Sequence, residues 1–230
     1  MLGRGEKDFT RSIKEVGGMN VMLKRAIVLA PHTDDGELGC GATISKLLRK
    51  NVEVFYAAFS TCEDSVPDGL PKGILRDELF KATSELGIEN KNVIVLNYRV
   101  RHFNEERQEI LDELIRLKRE INPQLVFMPS QNDIHQDHLT IAKEGLRAFK
   151  TNTILAYEAP WNNYSFSNQA FVEVNKEDMQ RKLAALAKYE SQNGRPYIAP
   201  EYTVGQLRLH GVQIGREYAE VFEVPRMIFS

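Results

Sequence analysis

Very little in this sequence suits secretion, a membrane or nucleic acid. Its 230 residues contain two cysteines, Cys40 and Cys62, too few for a disulfide framework or a thiolate-rich zinc site and in keeping with a reducing cytoplasm. The polar first 25 residues are followed by the apolar run AIVLA at 26–30, far short of the roughly 20 residues that span a bilayer. No integral membrane segment is therefore expected. A surplus of cationic side chains is missing too: 30 Lys and Arg face 32 Asp and Glu, for a formal charge of -2. That balance removes the basic footprint of a nucleic-acid binder and favours a small ligand as partner. No repeat, low-complexity tract or Pro/Ser linker divides the chain. A single domain over 23–230 is expected, preceded by a loosely held extension at 1–22 that lacks clear periodicity.

From Arg25 onward, short apolar runs alternate with amphipathic stretches, as βαβ units around a parallel sheet require. Strands are predicted at Ala26–Ala30, Val52–Phe59, Asn92–Leu96, Leu125–Met128 and Thr153–Tyr157. The segments at 44–50, 74–87, 106–121 and 138–150 repeat apolar residues every three or four positions, as helices with one buried face do. Leu86-Gly87 and Asn122-Pro123 read as helix stops. Residues 176–191 predict a further helix and 218–225 a late strand without an assigned place in the sheet. The fold class that follows is α/β, a three-layer Rossmann-like sheet, mostly parallel and flanked by helices.

In such sheets ligands bind beyond the carboxyl ends of the strands. Strand one ends in Pro31-His32-Thr33-Asp34-Asp35-Gly36-Glu37 and strand four in Pro129 through His138, which includes His135-Gln136-Asp137-His138. Taken singly, each histidine reads as a solvated or capping residue and the Asp pair as a helix N-cap. Their co-occurrence argues otherwise, because three of the five histidines fall in two loops that sheet topology brings together. A catalytic zinc site takes three ligands from His, Asp and Glu and leaves one position open. His32, Asp35 and His138 supply that set, leaving Asp34 to take a proton from water as it attacks a carbonyl. His135 would act on the carbonyl oxygen or the leaving nitrogen, and Asp137 would orient a histidine from behind. Gly36, Gly39 and Gly41 stand in the wrong order for a phosphate-cradling loop and fit close helix-to-strand packing instead.

At these residues the sequence resembles the PIG-L (LmbE-like) family of zinc-dependent N-acetylglucosaminyl deacetylases. Residues 30–37 match the family's A-H-P-D-D-E motif, with Thr33 in place of proline and Gly36 before Glu37. His135-Gln136-Asp137-His138 matches its H-x-D-H motif, Arg76-Asp77-Glu78-Leu79 its R-x-E-L helix, and Tyr218 through Phe222 its late Y-A-E-A-F segment. The resemblance implies one divalent metal, zinc first, on His32, Asp35 and His138. It implies Asp34 as base, His135 as acid or oxyanion-side group, Arg76 as a substrate-binding residue, and an N-acetylated sugar or glycoconjugate as substrate. The physiological metal and the oligomeric state stay open. Two other readings compete: a two-metal phosphoesterase using the same residues, and a Rossmann-like nucleotide-binding module.

Overall fold

The five residues Ala26–Ala30 are completely buried, so both faces of this strand are covered and its side chains divide between two cores. Ala26, Val28 and Ala30 face one core and Ile27 and Leu29 the other, the alternation of a strand with a helical layer on each side. The computed structural model describes residues 23–228; the extension at 1–22 lies outside them. Among the described residues seven strands form one sheet: β1 (Arg25–Ala30), β2 (Glu53–Ala58), β3 (Val93–Val95), β4 (Leu125–Pro129), β5 (Thr153–Tyr157), β6 (Ala170–Val174) and β7 (Tyr218–Arg226). Their order is β3-β2-β1-β4-β5-β7-β6. The first five run parallel, and β7 pairs antiparallel with both β5 and β6.

The helices are α1 (Asp35–Arg49), α2 (Ile74–Leu86), α3 (Arg107–Ile121), α4 (Gln136–Ala148), α5 (Lys176–Leu186) and α6 (Pro200–Gln213). Both expected stops are realised by left-handed caps, Gly87 at φ 96 and Asn122 at φ 49. At the second, the asparagine makes the turn and Pro123 bars continuation beyond it. No helix among the described residues is long and apolar enough to cross a membrane.

Helix α1 carries the site and is built in two pieces, broken at Cys40 (φ -146, ψ 22). The break leaves helical carbonyls and N–H groups without their usual partners in a dry interior, and a buried ion pair replaces them. Lys182 Nζ donates to the Leu38 carbonyl at 2.7 Å and to Glu220 Oε1 at 2.7 Å. Glu220 in turn accepts from the N–H groups of Ala42 (3.1 Å) and Thr43 (2.6 Å).

The glycines of α1 let it lie against the sheet. A Cβ on Gly36 would stand 2.5 Å from the Tyr56 ring, and one on Gly39 would stand 2.4 Å from the Tyr157 ring. Gly39→Ala is expected to cost about 1–3 kcal/mol through overpacking against a ring with no room to retreat. Urea unfolding measures it, and a variant as stable as the parent would show that α1 is free to lift.

Candidate active site

The β1–α1 and β4–α4 loops meet at the carboxyl edge of the sheet because β1 and β4 are parallel neighbours. Three atoms converge there. His32 Nδ1, His138 Nε2 and Asp35 Oδ2 are each 3.2 Å from the other two. Asp35 Oδ2 is itself held by the His32 backbone N–H at 2.7 Å.

The far nitrogen of each ring is fixed by a carboxylate. His32 Nε2 donates to Asp137 Oδ2 (3.0 Å) and His138 Nδ1 donates to Asp133 Oδ2 (2.7 Å). With those protons on the outside, both rings turn lone pairs inward at each other and at a carboxylate oxygen. Such an arrangement repels itself unless a cation sits within it. Tetrahedral bonds of about 2.0–2.1 Å separate neighbouring ligand atoms by roughly 3.3 Å, so the triangle fits a divalent metal.

A second grouping, His32, His135 and His138, brings ring nitrogens within 4.8 Å of one another. His135 suits it less well, because its Nδ1 accepts from the Asp137 backbone N–H at 3.2 Å. A neutral ring doing so must carry its proton on Nε2, which then has no lone pair for a metal.

Without a metal, the cluster holds protons in its place. Burial pulls His32 and His138 down, but the Asp35 charge and the carboxylate hydrogen bonds outweigh it and lift the rings to about 9 and about 10. Burial also raises Asp35, yet His138 and His32 hold it well below the usual carboxylate range. His135 goes the other way, lowered to about 4 by burial and by the two neighbouring rings.

Asp34 occupies the N-cap position of α1 but makes no capping bond, so its carboxylate is left for the cavity it lines. Burial and the charge of Asp35 raise it to about 6. Behind it, the Thr33 carbonyl accepts from Tyr56 (2.9 Å) and Tyr189 (2.6 Å). Both hydroxyls also meet the fully buried Glu37 carboxyl, so the residue after the inserted Gly36 braces the loop from below.

The cavity, of about 300 Å³, takes in His32, Asp34, Asp35, His135 and His138. Arg76 is not among its lining residues. Its neighbour Leu75 points inward, while the exposed Arg76 lies over the Phe80 ring 5.9 Å away. One position along a helix turns a side chain by about 100°, enough to exchange cavity for solvent. The informative residue of that segment is Glu78, buried and accepting from Ser191 N (2.9 Å) and Ser191 Oγ (2.5 Å). It ties down the segment that brings Gln192, Arg195 and Tyr197 to the cavity. Cys62 reaches the lining as well, whereas His102 pairs with Glu105 away from it. Sequence reasoning missed Asp133, Arg101, Arg195, Trp161 and Tyr197. Only Asp133 left a signal, as a carboxylate inside the loop that carries both later histidines.

Fold and site together define an α/β enzyme with a His–carboxylate cluster at the carboxyl edge of a Rossmann-like sheet. The family profile described as PIG-L, GlcNAc-PI de-N-acetylase, matches residues 27–149. A relative in Escherichia coli (strain K12), the uncharacterized deacetylase YaiS, is 30% identical over 174 residues, 73% of this chain and 91% of that protein. The diacetylchitobiose deacetylase of Thermococcus kodakarensis is 26% identical over 192 residues, 74% of this chain and 70% of that protein. The crystal structure of the conserved protein TT1542 from Thermus thermophilus shares the fold, with a TM-score of 0.75 and 24% identity over 91% of this chain and 97% of that one. The chain belongs to the PIG-L family of deacetylases.

Proposed function

We propose that the protein is a zinc-dependent hydrolase that removes the acetyl group from an N-acetylglucosamine-type sugar derivative, releasing acetate and a free amine. The observation that carries this reading is the 3.2 Å triangle of His32, Asp35 and His138 with the uncapped Asp34 beside it. A metal held by those three residues supplies Lewis-acid polarisation of the acetyl carbonyl and acidifies water near neutral pH. Asp137 and Asp133 keep the His32 and His138 rings in the tautomers that face it. Asp34 accepts the proton of the attacking water at its carboxylate and is placed to hand it to the departing nitrogen. His135, neutral and protonated on Nε2, offers an N–H to the oxygen on which negative charge develops.

A two-metal phosphoesterase would need further free carboxylates, and Asp133 and Asp137 are already engaged by His138 and His32. The deciding assay is acetate release from a panel of N-acetylglucosamine derivatives with zinc added. Turnover of none of them, by protein shown to be metal-loaded, would overturn the substrate class.

Metal binding must displace the protons that His32 and His138 hold, since pKa values of about 9 and about 10 leave both rings charged at pH 7 in the metal-free protein. Close to two protons should therefore leave per metal, with apparent affinity rising with pH toward about 10, the higher of the two values, and falling as pH drops. Calorimetry in two buffers of different ionisation heat counts them. Heats that do not depend on the buffer would mean that the rings are neutral before the metal arrives.

A further inference from the structure

We propose that the sugar substrate carries an anionic group, a phosphate or a carboxylate, and that Arg101 and Arg195 bind it. The proposal rests on the deacetylase reading above and adds to it the chemical class of the substrate. Both arginines line the cavity that holds the His–Asp cluster, and among the described residues neither guanidinium is salt-bridged, although Asp34 feels the charge of Arg195 and Asp64 that of Arg101 through space. Arg101 Nη2 reaches only the Asp64 main-chain carbonyl, at 3.5 Å, and Arg195 Nη1 donates to the Tyr197 hydroxyl at 2.5 Å. Elsewhere Arg49, Arg107 and Arg147 each meet a buried Asp or Glu side chain.

Both are also fixed by the way the site is constructed. Arg101 sits at φ 70, in the left-handed region that a residue with a Cβ rarely adopts and that recurs where function requires it. Its own backbone N–H donates to Asp137 Oδ2 at 2.6 Å, the carboxylate oxygen that holds His32. The base of the Arg101 side chain is thus positioned relative to a proposed metal ligand. Arg195 enters from another part of the chain. Its guanidinium lies 5.9 Å from the centre of the Tyr197 ring, and that ring stacks on Trp161 at 4.4 Å and 15°.

An unpaired guanidinium presents a planar fork of donors that matches the oxygens of phosphate or carboxylate, and two of them in one cavity suit a group with several charged oxygens. Trp161, 37% exposed, adds a flat apolar edge for the less polar face of a sugar ring. A neutral chitooligosaccharide would leave both forks without an anion in direct hydrogen-bond contact.

The test compares N-acetylglucosamine and N,N'-diacetylchitobiose with N-acetylglucosamine 1-phosphate, N-acetylglucosamine 6-phosphate and N-acetylmuramic acid on zinc-loaded protein. Acetate release and calorimetric binding are both measured. At least one anionic sugar should bind about tenfold or more tightly than the neutral ones, the scale of a charge-assisted pair. The difference should shrink with added salt and disappear in Arg101→Gln/Arg195→Gln. Equal binding of neutral and anionic sugars would overturn the proposal. So would an anionic preference that survives both substitutions, since the metal rather than the arginines would then be its source. If no sugar is hydrolysed while the arginine-dependent preference holds, the anion site stands and the deacetylase reading falls.

Discussion

Asp34→Asn should keep its metal and lose activity by roughly 10²–10⁴-fold in kcat, the usual contribution of a positioned general base, whereas Asp35→Ala should lose the metal itself. The two residues are adjacent and alike, and their surroundings separate them. Asp35 Oδ2 is 3.2 Å from both His32 Nδ1 and His138 Nε2 and is pinned by the His32 N–H. Removing it leaves two inward-facing lone pairs and one ligand fewer. Asp34 lines the cavity with no capping bond to keep it from reaction. Asparagine there preserves size and polarity but cannot accept a proton. Elemental analysis and steady-state kinetics on both variants decide the matter. The roles exchange if Asp34→Asn arrives without metal and Asp35→Ala arrives with it.

Lys182→Met should destabilise the protein by about 3–5 kcal/mol, because it strands a buried carboxylate. Lys182 and Glu220 are 1% and 3% exposed and 2.7 Å apart. The pair is more than an ion pair, since it also partners the Leu38 carbonyl and the N–H groups of Ala42 and Thr43 at the break in α1. For that reason Lys182→Met/Glu220→Leu should not recover the loss, unlike isolated buried pairs that apolar residues replace at little cost. Chemical unfolding of the two variants measures both quantities. A double variant as stable as the parent would mean that the break in α1 satisfies its own backbone groups.

The parallel half of the fold was legible in the sequence because its strands are buried on both faces and its helices on one, and those patterns are local. Observed strands differ from the expected ones by at most one residue at either end, and β2 and β3 are each one residue shorter at both ends, as Glu53–Ala58 and Val93–Val95. The end of the chain was less legible for physical reasons. Strand β6 is short and half-covered at the sheet edge, so its alternation is weak. Helix α6 spreads apolar residues around its circumference, with Leu209 and Val212 exposed, and therefore shows no stripe. In the site, His32, Asp35, His135, Asp137 and His138 could be read because they cluster in two loops that parallel pairing brings together. Trp161, Arg195 and Tyr197 could not, since they reach the cavity from segments with no spacing relation to either loop.

The break in α1 also bears on the order in which the molecule is completed. Most helices close their hydrogen bonds within four residues, but the second half of this one waits for a carboxylate 177 and 178 positions away. The first helix of the sheet layer is finished only when the last strand, β7, has found its place between β5 and β6. Contacts that distant form late, because a long loop must close before they contribute. Assembly of the catalytic edge is therefore tied to the arrival of the chain's C-terminal strand, and a partly made or partly unfolded chain does not present a finished active site.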